Sequence, residues 1–133
     1  MFIVEGKPQG KLRPRFYKGR AVTPKRTREY EEKVRKAFVE SGSESFMDGE
    51  PVIMWITAYY PIPARARKAE KALMESGEIW PTSRPDIDNV IKVIMDGLNG
   101  AAYADDSQVI RIEAKKKYSK TPYVEVVLRE AKR

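Results

Sequence analysis

The chain of 133 residues contains no cysteine and no histidine. Without cysteine it forms no disulfide and offers no thiolate nucleophile, which fits a reducing compartment. Without histidine, Ser-His-Asp and Cys-His catalysis are excluded, and so is a zinc site of the usual Cys/His kind. Any bound metal would need oxygen ligands, which suit magnesium, with manganese as a substitute. No apolar run approaches the roughly 20 residues of a membrane span. No basic segment precedes the short apolar run at residues 2–4, so no signal peptide is expected. These absences point to a cytoplasmic protein with no membrane partner.

Charge is abundant and unbalanced. Lys and Arg total 26 against 19 Asp and Glu, a formal net charge of +7. Such an excess implies either a polyanionic partner or a solvated basic surface. Residues 7–20 concentrate it: Lys7, Lys11, Arg13, Arg15, Lys18 and Arg20 occur there without one acidic residue. Prolines and glycines in this stretch prevent a helix. Phe16 and Tyr17 sit among the cations, a mixture suited to phosphate contacts and stacking on an exposed base. The alternative is a solvated loop whose two aromatics pack inward. Lys25, just beyond Thr23-Pro24, extends the cationic set.

Patterning predicts an α+β fold, a single compact domain over residues 1–133 with a mixed β-sheet packed against helices. Residues 2–5 read as an opening strand. Thr23 reads as an N-cap with Pro24 at the first helical position, of a helix running to Glu40 and stopped by Gly42. Tyr30, Val34, Ala37 and Phe38 form its apolar face. Residues 51–61 read as a central strand with both faces largely covered. Residues 64–75 read as a basic helix closed by Gly77, whose Arg65, Arg67, Lys68 and Lys71 either approach phosphates or face solvent. Residues 109–116 and 123–128 read as strands paired antiparallel in a hairpin, followed by a fraying tail at residues 129–133.

Residues 84–108 concentrate acid within this basic chain: Asp86, Asp88, Asp96 and the pair Asp105 and Asp106. The helix between them carries a buried stripe of Ile87, Val90, Ile91, Ile94 and Leu98, flanked by Met95. Asp88, Lys92 and Asp96 recur at i, i+4 and i+8 on its other side. If the strand after Asp106 begins near the helix N-terminus, three carboxylates converge there into a hard-oxygen magnesium site for phosphoryl chemistry. Lys92 would then steady charge developing on a phosphate. The plain alternatives are helix capping and turn chemistry for the aspartates and an Asp88–Lys92 ion pair. One cap accounts for Asp86 or Asp88, but not for both of them and the later pair.

The run Arg-Pro-Asp-Ile-Asp-Asn-Val-Ile-Lys, followed by Asp-Gly-Leu-Asn-Gly and Tyr-Ala-Asp-Asp-Ser-Gln, resembles the RusA family of Holliday junction resolvases. The N-terminal stretch also looks like the start of its bacterial and phage members, so the resemblance covers most of the chain. It implies a homodimer with a mixed α/β fold that binds four-way junction DNA and nicks two strands symmetrically with magnesium. Asp86, Asp88 and Asp106 match the family's essential carboxylates, and Lys92 its essential lysine. Asp105 and Asp96 sit at motif positions, with Asp105 expected as a supporting metal ligand. The expected DNA-binding residues are Lys7, Lys11, Arg13, Arg15, Phe16, Lys18, Arg20 and Lys25. The rival readings are a non-catalytic branched-DNA-binding protein and a nucleotide phosphohydrolase.

Overall fold

A computed structural model of the protein describes residues 1–132; Arg133 lies outside the described residues. The first half holds β1 (Phe2–Glu5), β2 (Arg15–Tyr17), β3 (Arg20–Val22), α1 (Lys25–Glu40) and β4 (Val52–Pro61). The second holds α2 (Lys68–Ser76), α3 (Ile87–Leu98), a 3-10 turn (Asp106–Gln108), β5 (Val109–Ser119) and β6 (Tyr123–Glu130). The fold is α+β, a compact domain with a mixed sheet. No helix among the described residues is long and apolar enough to cross a membrane.

The β-branched and aromatic run of β4 makes it an inner strand, as its composition predicts. The sheet order is β1-β6-β4-β5. β5 lies parallel to β4, with Ile53 opposite Arg111 and Tyr60 opposite Tyr118. β6 lies antiparallel along the other edge of β4, with Tyr59 opposite Tyr123. The expected β5–β6 hairpin is therefore not formed. The turn at residues 119–122 is tight, but it passes over the end of β4, which lies between the two strands. β4 takes both places because it is the strand that best tolerates burial.

One sheet face carries the core. Met54, Ile56, Ala58, Tyr60, Val124, Val126, Phe2 and Val4 form one buried cluster with Tyr30, Val34 and Phe38 of α1 and Val90, Val93, Ile94 and Leu98 of α3. The other face of β4, bearing Ile53, Trp55 and Tyr59, is only half-buried. The expectation of two covered faces holds for one of them.

Several boundaries move. Pro24, not Thr23, occupies the N-cap position of α1, and Arg28 N–H donates to the Pro24 carbonyl at 3.1 Å. α2 begins at Lys68, leaving Arg65 and Arg67 ahead of it; the Glu70 carboxylate accepts from Arg67 N–H at 3.1 Å. Gly77 closes α2 with φ 85°, as expected. The tail does not fray from residue 129: Glu130 pairs with Val52, and Ala131 N–H donates to the Pro51 carbonyl at 2.8 Å. In α3, Ile87 is exposed, whereas Val93 and Gly97 are buried.

Gly97 shows why. A Cβ built there would lie 2.9 Å from Val34 Cβ and 3.0 Å from the Glu31 carbonyl oxygen. Glycine lets α3 lie directly on the backbone of α1. In an open helix Gly→Ala gains about 1 kcal/mol. Here Gly97→Ala is expected to lose about 1–3 kcal/mol through overpacking, read from urea unfolding.

Candidate active site

The parallel β4–β5 pairing sets the direction of α3. The chain leaves the end of β4, and α3 brings it back before β5 starts beside the beginning of β4. The N-terminus of α3 therefore lies at the Tyr60 end of the sheet. The Tyr60 hydroxyl donates to the Pro85 carbonyl, one residue before Asp86. Burial, and then the nearby Asp86 charge, push the Tyr60 phenol up to about 12, so it remains a donor at neutral pH.

Asp86 stands at the N-cap position of α3, yet its side chain makes no capping hydrogen bond. The capping alternative therefore fails for it. Asp88 accepts only from the neighbouring Asn89 N–H, at 3.0 Å. Both carboxylates are exposed. Lys92 is 62% exposed and reaches Asp96 at 3.9 Å, so its partner on the helix is Asp96 rather than Asp88.

Asp105 and Asp106 differ sharply. Asp105 caps the 3-10 turn, accepting from Ser107 N–H at 3.2 Å and from the Ser107 hydroxyl. These bonds hold its carboxyl below the usual range. Gln108 rivets the same turn: its Oε1 accepts from Ala104 and Asp105 N–H, and its Nε2 donates to the Met47 and Glu50 carbonyls. Asp106 is half-buried and makes no side-chain hydrogen bond among the described residues. Tyr103, whose hydroxyl donates to the Met95 carbonyl at 2.9 Å, has its phenol raised by burial and then by Asp106, Asp96 and Asp105.

The conditional convergence is thus not met within the chain. β5 begins beyond the C-terminal end of α3, a helix of 12 residues and so ~18 Å long. Among the described residues, no three Asp or Glu side chains stand close enough to hold a metal ion together. The donor chemistry suits a hard cation at Asp86 and Asp88, whose oxygens are largely unbonded. Asp106 stands apart from them.

The cations divide as well. Arg15, Lys18 and Arg20 lie in the β2–β3 hairpin, whose Lys18-Gly19 turn has φ of 50° and 75°. Two positive φ values in a two-residue loop match a type I′ turn. Every hairpin residue is exposed, and Phe16 is 80% exposed, so its ring does not pack inward. Lys7 and Arg13 line a groove of about 760 Å³ together with Arg26, Arg84, Asp86 and Asn89. Lys25 lies 3.8 Å from Glu29 at the start of α1. Lys11 also lines that groove, but its ammonium is engaged 3.2 Å from Glu31 and 3.0 Å from Asp96. Partial burial lowers its pKa and the two carboxylates raise it, with a net rise.

The chain matches the Endodeoxyribonuclease RusA family over residues 5–129. It belongs to that family. It is 35% identical over 132 residues to the uncharacterized protein YqaN of Bacillus subtilis (strain 168), a match covering 96% of this chain and 89% of that one. It is 32% identical over 88 residues to the crossover junction endodeoxyribonuclease rusA of Lactococcus phage r1t, covering 65% and 60% of the two chains. The span matched to the RusA family contains every candidate residue from Lys7 to Asp106. It also contains Tyr60 and Arg84, to which the sequence alone gives no role. A tyrosine in a core strand carries no sequence signal for a hydrogen bond to a remote loop.

Because Lys11 links the residue 7–20 loop to both α1 and α3, Lys11→Met and Asp96→Asn should be coupled. A double-mutant cycle by urea unfolding is expected to give an interaction energy of about 1–3 kcal/mol. Arg13→Ala, in the open groove, should change stability by less than about 0.5 kcal/mol.

Proposed function

We propose that this RusA-family protein is a magnesium-dependent, structure-selective endodeoxyribonuclease that resolves four-way DNA junctions by paired symmetric nicks, in recombination and repair. One observation carries the reading. Asp86 ends a cation-lined groove at a helix N-terminus, and its carboxylate is not used as the cap that the position would suit. The name of the phage relative supports the junction as substrate.

Asp86 and Asp88 would hold the magnesium ion, or manganese in its place; Asp106 stands apart from them within the chain and would not share that ion. Asp105, already engaged by Ser107, would not either. The ion would supply charge neutralisation of the phosphodiester and activation of the attacking water. Lys92, largely free in solvent, would steady charge on the scissile phosphate. Lys7, Arg13 and Lys25 would hold backbone phosphates near the groove. Arg15, Lys18 and Arg20 would do so from the hairpin, where exposed Phe16 would stack on a base at the open branch point. Lys11 falls outside this set because Glu31 and Asp96 already surround its ammonium.

A homodimer follows from the same reading, since two nicks need two centres. The half-exposed sheet face supports it. Trp55, Tyr59, Tyr123 and Val127 form its apolar middle, and the rings of Tyr59 and Tyr123 stack at 4.4 Å. Lys115 and Lys117 flank it on β5, and Glu5 and Glu125 on the β1–β6 side. A twofold axis along the strands would set these lysines opposite the glutamates of a second copy. It would also bring both Asp86 carboxylates to the same end of the dimer, facing one substrate.

A labelled synthetic four-way junction tests the chemistry. With magnesium, the protein is expected to make paired nicks. Asp88→Asn should slow nicking at least about a hundredfold while junction binding persists. Asp105→Asn should slow it less. Junction binding without nicks under any divalent ion would leave the binding-module reading, and turnover of mononucleotides the phosphohydrolase. Sedimentation tests the assembly. Lys117→Glu should shift the dimer toward monomer, and Glu5→Lys in the same chain should restore it; a wild-type monomer at micromolar concentration contradicts it.

A further inference from the structure

Residues 80–86 bridge α2 and α3 without regular secondary structure, so no ladder holds their backbone. Two side chains of the sheet hold it instead. Tyr60 of β4, 3% exposed, donates its hydroxyl to the Pro85 carbonyl. Lys116 of β5 donates Nζ to the Ser83 carbonyl at 2.8 Å. The same ammonium lies 4.8 Å from the centroid of the Tyr60 ring. The two donors thus brace each other and grip the carbonyls on either side of Arg84. Lys116 alternates with exposed Lys115 and Lys117 and is half-buried on the core-facing side of β5, where an apolar residue would pack better. Among the described residues it has no carboxylate partner within ion-pair distance, so the carbonyl is its hydrogen-bonding role.

We infer that Tyr60 and Lys116 are positioning residues: they fix residues 83–86, and thereby set Asp86 and Arg84 at the groove. The inference rests on the reading of Asp86 as a working carboxylate. Without the clamp, the segment would still connect the helices, but Asp86 would sample several positions. A small misplacement of a catalytic group is enough to cost one to two orders of magnitude in rate.

Three variants test it: Tyr60→Phe, Lys116→Met, which keeps the aliphatic stem, and Lys116→Arg, which keeps a donor. Hydrogen exchange of the full-length protein, followed by mass spectrometry, should show amides 83–90 exchanging about five- to tenfold faster in the first two, the scale of one lost hydrogen bond. Lys116→Arg should stay near wild type. The magnesium concentration giving half-maximal nicking should rise about tenfold in the first two, with junction affinity in magnesium-free buffer within about twofold of wild type. Unchanged exchange in folded Tyr60→Phe or Lys116→Met overturns the clamp. So does faster exchange with an unchanged magnesium requirement, which would make the contacts merely stabilising. If Tyr60→Phe fails to fold, Lys116→Met decides by the same measures. A wild-type protein that never nicks the junction would instead remove the reading of Asp86, while local exchange would still decide whether these side chains hold the segment.

Discussion

Strand β4 is hydrogen-bonded along both edges, parallel to β5 on one side and antiparallel to β6 on the other. Most of the site depends on that arrangement. A parallel neighbour must start at the same end as β4, so the intervening chain has to travel back along the sheet. α3 makes that return journey, and its N-terminus therefore stands over the end of β4, within reach of Tyr60. The helix is held on the core by its buried stripe and on α1 by the close approach at Gly97. Asp86 and Asp88 are thereby fixed at one edge of the molecule, beside the groove that Lys7, Arg13, Arg26 and Arg84 line.

Net charge of +7 describes the whole chain, but the cations do different work. Lys11 and Arg35 are structural: the first joins Glu31 to Asp96, and the second donates to the Asn99 carbonyl at 2.7 Å, at the C-terminal end of α3. Lys116 holds a loop. The hairpin cations and those of the groove other than Lys11 make no ion pair among the described residues and are the ones proposed to face a polyanion. With the Lys11 ammonium already held by Glu31 and Asp96, the proposed phosphate contacts fall to the exposed hairpin cations and to those of the groove that Asp86 lines. The acids divide in the same way. Asp96 and Asp105 already have partners, whereas Asp86, Asp88 and Asp106 have oxygens available.

The elements whose signal is local were legible in the sequence. The apolar stripe of α1, the composition of β4 and the glycine stop of α2 needed only neighbouring residues. Non-local arrangements were less legible. A short turn between two strands looks the same whether the strands touch or a third lies between them, so local signals favour a β5–β6 hairpin where the fold inserts β4. The inward face of α3 is turned from the expected stripe, away from Ile87 and toward Val93, because Gly97, which has no side chain to count as apolar, lies directly against α1. The Lys18-Gly19 hairpin was hidden among prolines and cations. At the site, the identity of the acidic residues was legible, but their partners were not. Only the fold shows Asp105 bonded to Ser107, Lys11 enclosed by two carboxylates, and Asp86 unused as a cap.

The proposed chemistry requires Asp86 and Asp88 to bind a divalent cation at the N-terminus of α3. Anomalous scattering from crystals grown with manganese locates that ion directly. The predicted result is a peak within coordination distance of the Asp86 and Asp88 carboxylates, lost in crystals of Asp88→Asn. A protein that takes up no ion at saturating manganese, or that binds it only away from α3, would rule out a metal centre at these two aspartates.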